Sequence, residues 1–200
     1  MISSQREILN SKETSYLSIG ITPEGAPRRS VAVPWESTSH AFNMRIPDVY
    51  IAPEDLDDTD VMEKILSRKV IGCYIWAPLS DYKFLTRLKD LQDIYIANGD
   101  AISDLAFLQE LTECRMFYLQ NAKLKNLDTL VEAKKHSTAP FGGLRCVGLD
   151  NCAVEDLSIF ERETVQFSEF LIWKPEGSDE KSRWNVIRAH TRRYYEYREK

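Results

Sequence analysis

The sequence predicts an α/β repeat fold in which short parallel strands alternate with helical turns and each unit packs on the next. Three observations carry this reading. Ile102-Ser103-Asp104-Leu105, Leu124-Lys125-Asn126-Leu127 and Val154-Glu155-Asp156-Leu157 are copies of one another. Each follows an asparagine, Asn98, Asn121 or Asn151, standing two residues past an apolar-x-x-apolar-x-apolar triple. Six such triples occur: Ile46/Val49/Ile51, Val70/Cys73/Ile75, Leu91/Ile94/Ile96, Cys114/Phe117/Leu119, Leu144/Val147/Leu149 and Phe167/Phe170/Ile172, with starts separated by 24, 21, 23, 30 and 23 residues. Triples alone decide little, because at 43% hydrophobic content about one window in twelve fits by chance. Their coincidence with the asparagine and the copied segment is what marks stacked units.

Each element then has a local reason. At the amino end, residues 1–45 are expected to form a β-rich cap, with strands over Tyr16 to Ile21 and Ser30 to Trp35 around the turn Pro23 to Pro27. The repeats should occupy residues 46–175. Within a repeat the apolar triple faces inward, and a buried asparagine serves backbone groups where the chain leaves the sheet. Asp104, Asn126 and Asp156 suit the start of a helical turn, accepting from free amides, and Leu108, Leu130 and Phe160 return that turn to the core. In the acidic run Glu54 to Glu63, Asp60 is expected to cap a helix with Glu63 closing a capping box; the glycine and spaced glutamate of a calcium loop are missing. Irregular turns are expected at Ala77, at the insertion Glu132 to Gly143 and at Cys152. Over residues 176–200, Trp184, Ile187, Thr191 and Tyr194 recur at helical spacing and predict a capping helix.

The triple, the asparagine and the Asp/Asn-Leu continuation resemble the leucine-rich repeat family, whose unit reads L-x-x-L-x-L-x-x-N/C-x-L, in its bacterial form of about 22 residues. The likeness is fullest from Leu91 to Phe160. It implies a short right-handed β/α solenoid, a horseshoe with a parallel sheet on its concave side and a cap at each end. Residues between the apolar positions of each strand would then face the open, concave side.

One position after the middle apolar residue, the six strands carry Tyr50, Tyr74, Tyr95, Tyr118, Gly148 and Leu171. Four tyrosines in consecutive strands would make a column about 14 Å long. Two positions further on lie Ala52, Trp76, Ala97, Gln120, Asp150 and Trp173. Tyrosine and tryptophan combine large contact area with few rotors and a hydrogen-bonding tip, as interface hot spots do. The expected function is therefore a non-enzymatic module that binds a protein or peptide on Tyr50, Tyr74, Trp76, Tyr95, Tyr118 and Trp173, with Asp93, Gln120 and Asp150 setting polar specificity. A glycan stacking on the rings is the second reading. The plainer alternative is a tyrosine ladder that only stabilises the sheet.

Composition bounds the rest. Residues Lys181 to Lys200 carry seven Lys or Arg against two Glu, so a net charge of −5 leaves the remaining chain near −10. An acidic body disfavours nucleic acid, and only the basic, tyrosine-bearing tail offers an anionic surface a grip. The longest apolar runs fall far short of a membrane span, and the amino terminus lacks the pattern of a secretory signal, so a cytoplasmic setting is expected. Cys73, Cys114, Cys146 and Cys152 show no C-x-x-C spacing, which points to reduced thiols rather than zinc. Cys73 and Cys114 read as core residues. Cys146 on the concave side, with His136 as base, is the one conceivable hydrolase pair; no G-x-S-x-G, P-loop or H-E-x-x-H occurs, and no cofactor or metal is implied.

Overall fold

The computed structural model describes residues 14–20, 47–136, 143–174 and 184–198. Its strands are β1 (Thr14–Ile19), β2 (Val49–Ile51), β3 (Lys69–Ile75), β4 (Asp93–Ile96), β5 (Met116–Gln120), β6 (Lys123–Asn126), β7 (Cys146–Asp150), β8 (Ala153–Asp156), β9 (Phe167–Lys174) and β10 (Thr191–Arg198). Eight of them form one sheet in the order β10-β9-β7-β5-β4-β3-β1-β2, and every pairing in it is parallel. Parallel neighbours need a crossover. Short helices supply it, at Pro53–Asp57, Thr59–Leu66, Lys83–Arg87, Ala106–Glu110, Asp128–His136 and Ile159–Arg162. Among the described residues, no helix is long and apolar enough to cross a membrane.

The apolar frame behaves as its spacing demands. Cys73, Ile75, Ile94, Ile96, Phe117, Leu119, Val147, Leu149, Phe170 and Ile172 point to one face of the sheet and form the main core with Leu108, Leu130 and Phe160 from the crossovers. The copied segments lie one over the next. β6 and β8 pair as a second, two-stranded parallel sheet with Leu124 opposite Val154 and Asn126 opposite Asp156, and Lys125 N donates to Ser103 O at 3.3 Å.

Asp104, Asn126 and Asp156 each accept from the amide two residues on, at 2.9, 3.2 and 2.8 Å. Asp81, which the sequence reading passed over, does the same at Lys83 with 2.7 Å. In the acidic run the cap is Asp58 rather than Asp60. Its extended backbone lets Oδ1 accept from Asp60 N at 2.9 Å and Val61 N at 3.1 Å, which puts Asp60 inside the first helical turn and leaves no box for Glu63. The asparagines are half-buried (Asn98, Asn121) or exposed (Asn151) rather than buried. Their amides still serve the preceding unit: Asn98 Nδ2 donates to Trp76 O, Asn121 Nδ2 to Ala97 O at 3.1 Å, and Asn151 Nδ2 to Asn121 Oδ1 at 2.7 Å. Asn121 and Asn151 also take left-handed backbone (φ 58° and 49°), a conformation asparagine tolerates.

Both ends of the sheet differ from expectation. The segment read as a cap strand is β1, an interior strand between β2 and β3, so the 49–51 strand is not the neighbour of the 69–75 strand. Long-range polar contacts hold it there. Asp48 Oδ1 accepts from Tyr16 N at 2.7 Å, and the buried Arg68 donates from Nε to Ser15 Oγ at 2.5 Å while lying 3.6 Å from Asp48 Oδ2. Ile46 and the expected strand Ser30 to Trp35 lie outside the described residues. At the other end the predicted capping helix is only Asn185–Arg188; the chain then turns into β10, parallel to β9. Trp184 and Ile187 are buried as helical spacing anticipated, but the tyrosine-rich stretch after them supplies the strand that β9 would otherwise lack at its edge.

Gly72 shows how tightly β1 is seated. A Cβ there would stand 2.3 Å from Tyr16 Cδ1, because the tyrosine ring crosses the glycine. Gly72→Ala should therefore cost about 1–3 kcal/mol through overpacking. Urea denaturation measures it, and a midpoint equal to wild type would show that the ring is not held against this position.

Candidate functional site

Strand register builds the second face of the sheet. The middle row runs Tyr50, Ser18, Tyr74, Tyr95, Tyr118, Gly148 and Leu171, each opposite the next. Ser18 thus interrupts the expected run of four tyrosines, separating Tyr50 from the other three. The row before it holds Tyr16, Gly72, Asp93, Met116, Cys146 and Glu169. At the carboxyl ends of the strands, Trp76 follows β3, Ala97 follows β4, and Gln120 and Asp150 close β5 and β7. Trp173 is paired with Asp150 in register, and its side chain lies outside the described residues.

The column does not face an open surface. Tyr74, Tyr95 and Tyr118 are 1%, 3% and 1% exposed and form a second core with Met116 and Leu171, flanked by Tyr16, Trp76, Ala97 and Cys146. In-register parallel strands bring identical positions within stacking distance, and aromatic rings use it. Tyr95 and Tyr118 stack with centroids 4.7 Å apart and planes at 5°; Trp76 tilts onto Tyr95 at 4.9 Å, and Tyr16 lies 6.1 Å from Tyr74. Of the residues expected to meet a partner, Tyr50 is exposed and Trp76, Asp93, Gln120 and Asp150 are half-buried.

The phenol tips end in one polar network. Tyr95 OH donates to Gln120 Oε1 at 2.9 Å, Tyr118 OH donates to Asp150 Oδ2 at 2.9 Å, and Gln120 Nε2 donates to the same Asp150 oxygen at 2.5 Å. Burial first, and then the Asp150 charge, push both phenols above their ordinary range, so they remain donors. Gln120 is oriented from both ends, its carbonyl by Tyr95 and its amide by Asp150. The strip Trp76, Ala97, Gln120 and Asp150 is therefore a fixed, half-exposed edge standing on a buried aromatic floor.

Cys146 sits half-buried on this face, as its frame position implied, beside Glu169. Burial, then the Glu169 and Asp93 carboxylates, outweigh Arg145 and Lys134 and leave its thiol pushed up to about 12, whereas a nucleophile needs the opposite shift. His136 is held by Glu132, with Nε2 3.2 Å from Oε2 and its side chain largely in solvent. Cys73 and Cys114 are core thiols raised by burial, Cys152 is pushed up to about 12, and all four cysteines are free. Glu169 was missed from the sequence. It is a carboxylate only 6% exposed on the tyrosine face beside Cys146, and its place directly before the inward Phe170 was the available signal.

Comparison with protein-family models, with curated proteins and with solved structures finds no match to this chain.

Proposed function

We propose that the chain is a solenoid of the leucine-rich-repeat type and acts as a non-enzymatic protein- or peptide-binding module, its contact strip being the carboxyl edge of the strands rather than the tyrosine column. The copied segments stacked in register support the solenoid. The observation that carries the binding reading is the half-exposed series Trp76, Ala97, Gln120 and Asp150 on neighbouring strands, backed by buried, stacked rings. A flat indole beside preset hydrogen-bonding groups matches the makeup of interface anchors, and a rigid strip loses little entropy on binding. Tyr50, exposed on β2 among the described residues, lies apart from the strip, with β1 between it and Trp76. Four free thiols suit a reducing compartment such as the cytoplasm.

Panning a random peptide display library against the full chain tests the reading. Specific clones should emerge, and Trp76→Ala should weaken them about tenfold or more, the range of an interface hot spot, while the half-exposed position leaves folding cooperative. No specific clone, or clones indifferent to Trp76→Ala, would sink it.

A further inference from the structure

We infer that the strip recognises an arginine side chain on a peptide partner, with Asp150 as its counter-ion; this rests on the binding-module reading above. Asp150 is half-buried, and both of its described side-chain bonds, from Tyr118 OH and Gln120 Nε2, fall on Oδ2. Oδ1 carries no hydrogen bond among the described residues, and Asp150 takes part in no ion pair among them. Both donors to Asp150 are neutral. The carboxylate is thus held in place, partly withdrawn from water and uncompensated in charge, a state that favours a cation arriving from outside.

Two arginines leading into the strands that carry Gln120 and Asp150 are poorly placed to fill that role. Arg115 and Arg145 precede the first residues of β5 and β7, at the opposite ends of the strands that Gln120 and Asp150 close. Arg145 stands five positions before Asp150, roughly 16 Å along the backbone at strand rise.

Arginine fits better than lysine. Its guanidinium is more weakly hydrated than an ammonium, which suits a half-buried carboxylate, and its planar face of N–H donors can be presented to Oδ1. Lysine presents a compact ammonium without that plane.

The test uses clones selected on the full chain and their synthetic peptides. Arginine should be enriched at one position; replacing it with citrulline, which keeps shape and removes charge, should weaken binding at least tenfold, and lysine should recover only part of the loss. Asp150→Asn should remove the preference for arginine over citrulline, and wild-type affinity should fall as salt rises. Clones that need Trp76 yet bind equally with citrulline overturn the arginine assignment and leave the module standing. The absence of specific clones overturns both. The citrulline comparison on the wild-type protein decides the matter even if Asp150→Asn perturbs folding.

Discussion

Tyr118→Ala should lower the stability of the protein by about 3–5 kcal/mol, the cost of emptying a large aromatic site in a packed core. The ring is 1% exposed, lies 4.7 Å from Tyr95 in near-parallel stack, and sits in register between Tyr95 and Gly148. Truncation removes its apolar contacts and also the hydroxyl that donates to Asp150 Oδ2, leaving Gln120 as the one described donor to that carboxylate. Tyr118→Phe separates the two effects. It keeps the ring and removes the hydroxyl, and should cost about 1.5–3 kcal/mol, the range for a hydrogen bond to a charged group. Urea denaturation followed by circular dichroism reads both variants. Were Tyr118 an open contact residue, as its place in the strand pattern suggested, Tyr118→Ala would leave stability within about 0.5 kcal/mol. That result would overturn the assignment of the column to a second core.

Alkaline pH should destabilise the protein steeply from about pH 9 upward. Cys73, Cys114, Cys146, Cys152, Tyr95 and Tyr118 all have pKa values raised in the folded state, chiefly by burial. The folded chain therefore holds protons that the unfolded chain releases, and stability falls wherever the unfolded state binds fewer. For the thiols the contribution is fully present below the ordinary value of 9.0. It drains away as pH climbs from there toward the folded values, about 12 for Cys146 and Cys152 and higher for the two core thiols. Within that window each group removes about 1.4 kcal/mol per pH unit. Several acting together by about pH 10.5 remove an amount comparable with a whole domain's stability of about 5–15 kcal/mol. Urea midpoints at pH 7, 9 and 10.5 should show a level stretch followed by a steep fall. A midpoint unchanged at pH 10.5 would mean that the thiols reach solvent.

How far the residues alone went depended on the range of the interactions. The inward frame was legible, because alternation along a strand puts Ile94 and Ile96 on one face whatever the rest of the chain does. So were the turn acceptors Asp104, Asn126 and Asp156, whose bonds reach only two residues. The carboxyl-terminal tail misled for a related reason. Trp184 and Ile187 satisfy one helical turn, and the same spacing carried on through residues that pair instead with β9.

The candidate strip came through differently. Trp76, Gln120 and Asp150 were found from their strand positions, yet their support was hidden, since stacking of Tyr95 on Tyr118 needs two strands in register before any ring can meet another. A period of two names the face a side chain leaves from and says nothing of what waits there. β1 makes the same point: its place rests on Tyr16 with Asp48, 32 residues away, and on Arg68 with Ser15, 53 residues away. Patterns of local spacing thus settled the parallel strands, their inward residues and their turns, because those depend on backbone geometry within a few residues. The insertion of β1, the edge strand β10 and the burial of the tyrosines were set by contacts between distant segments, whose free energy exists only once the whole sheet is assembled.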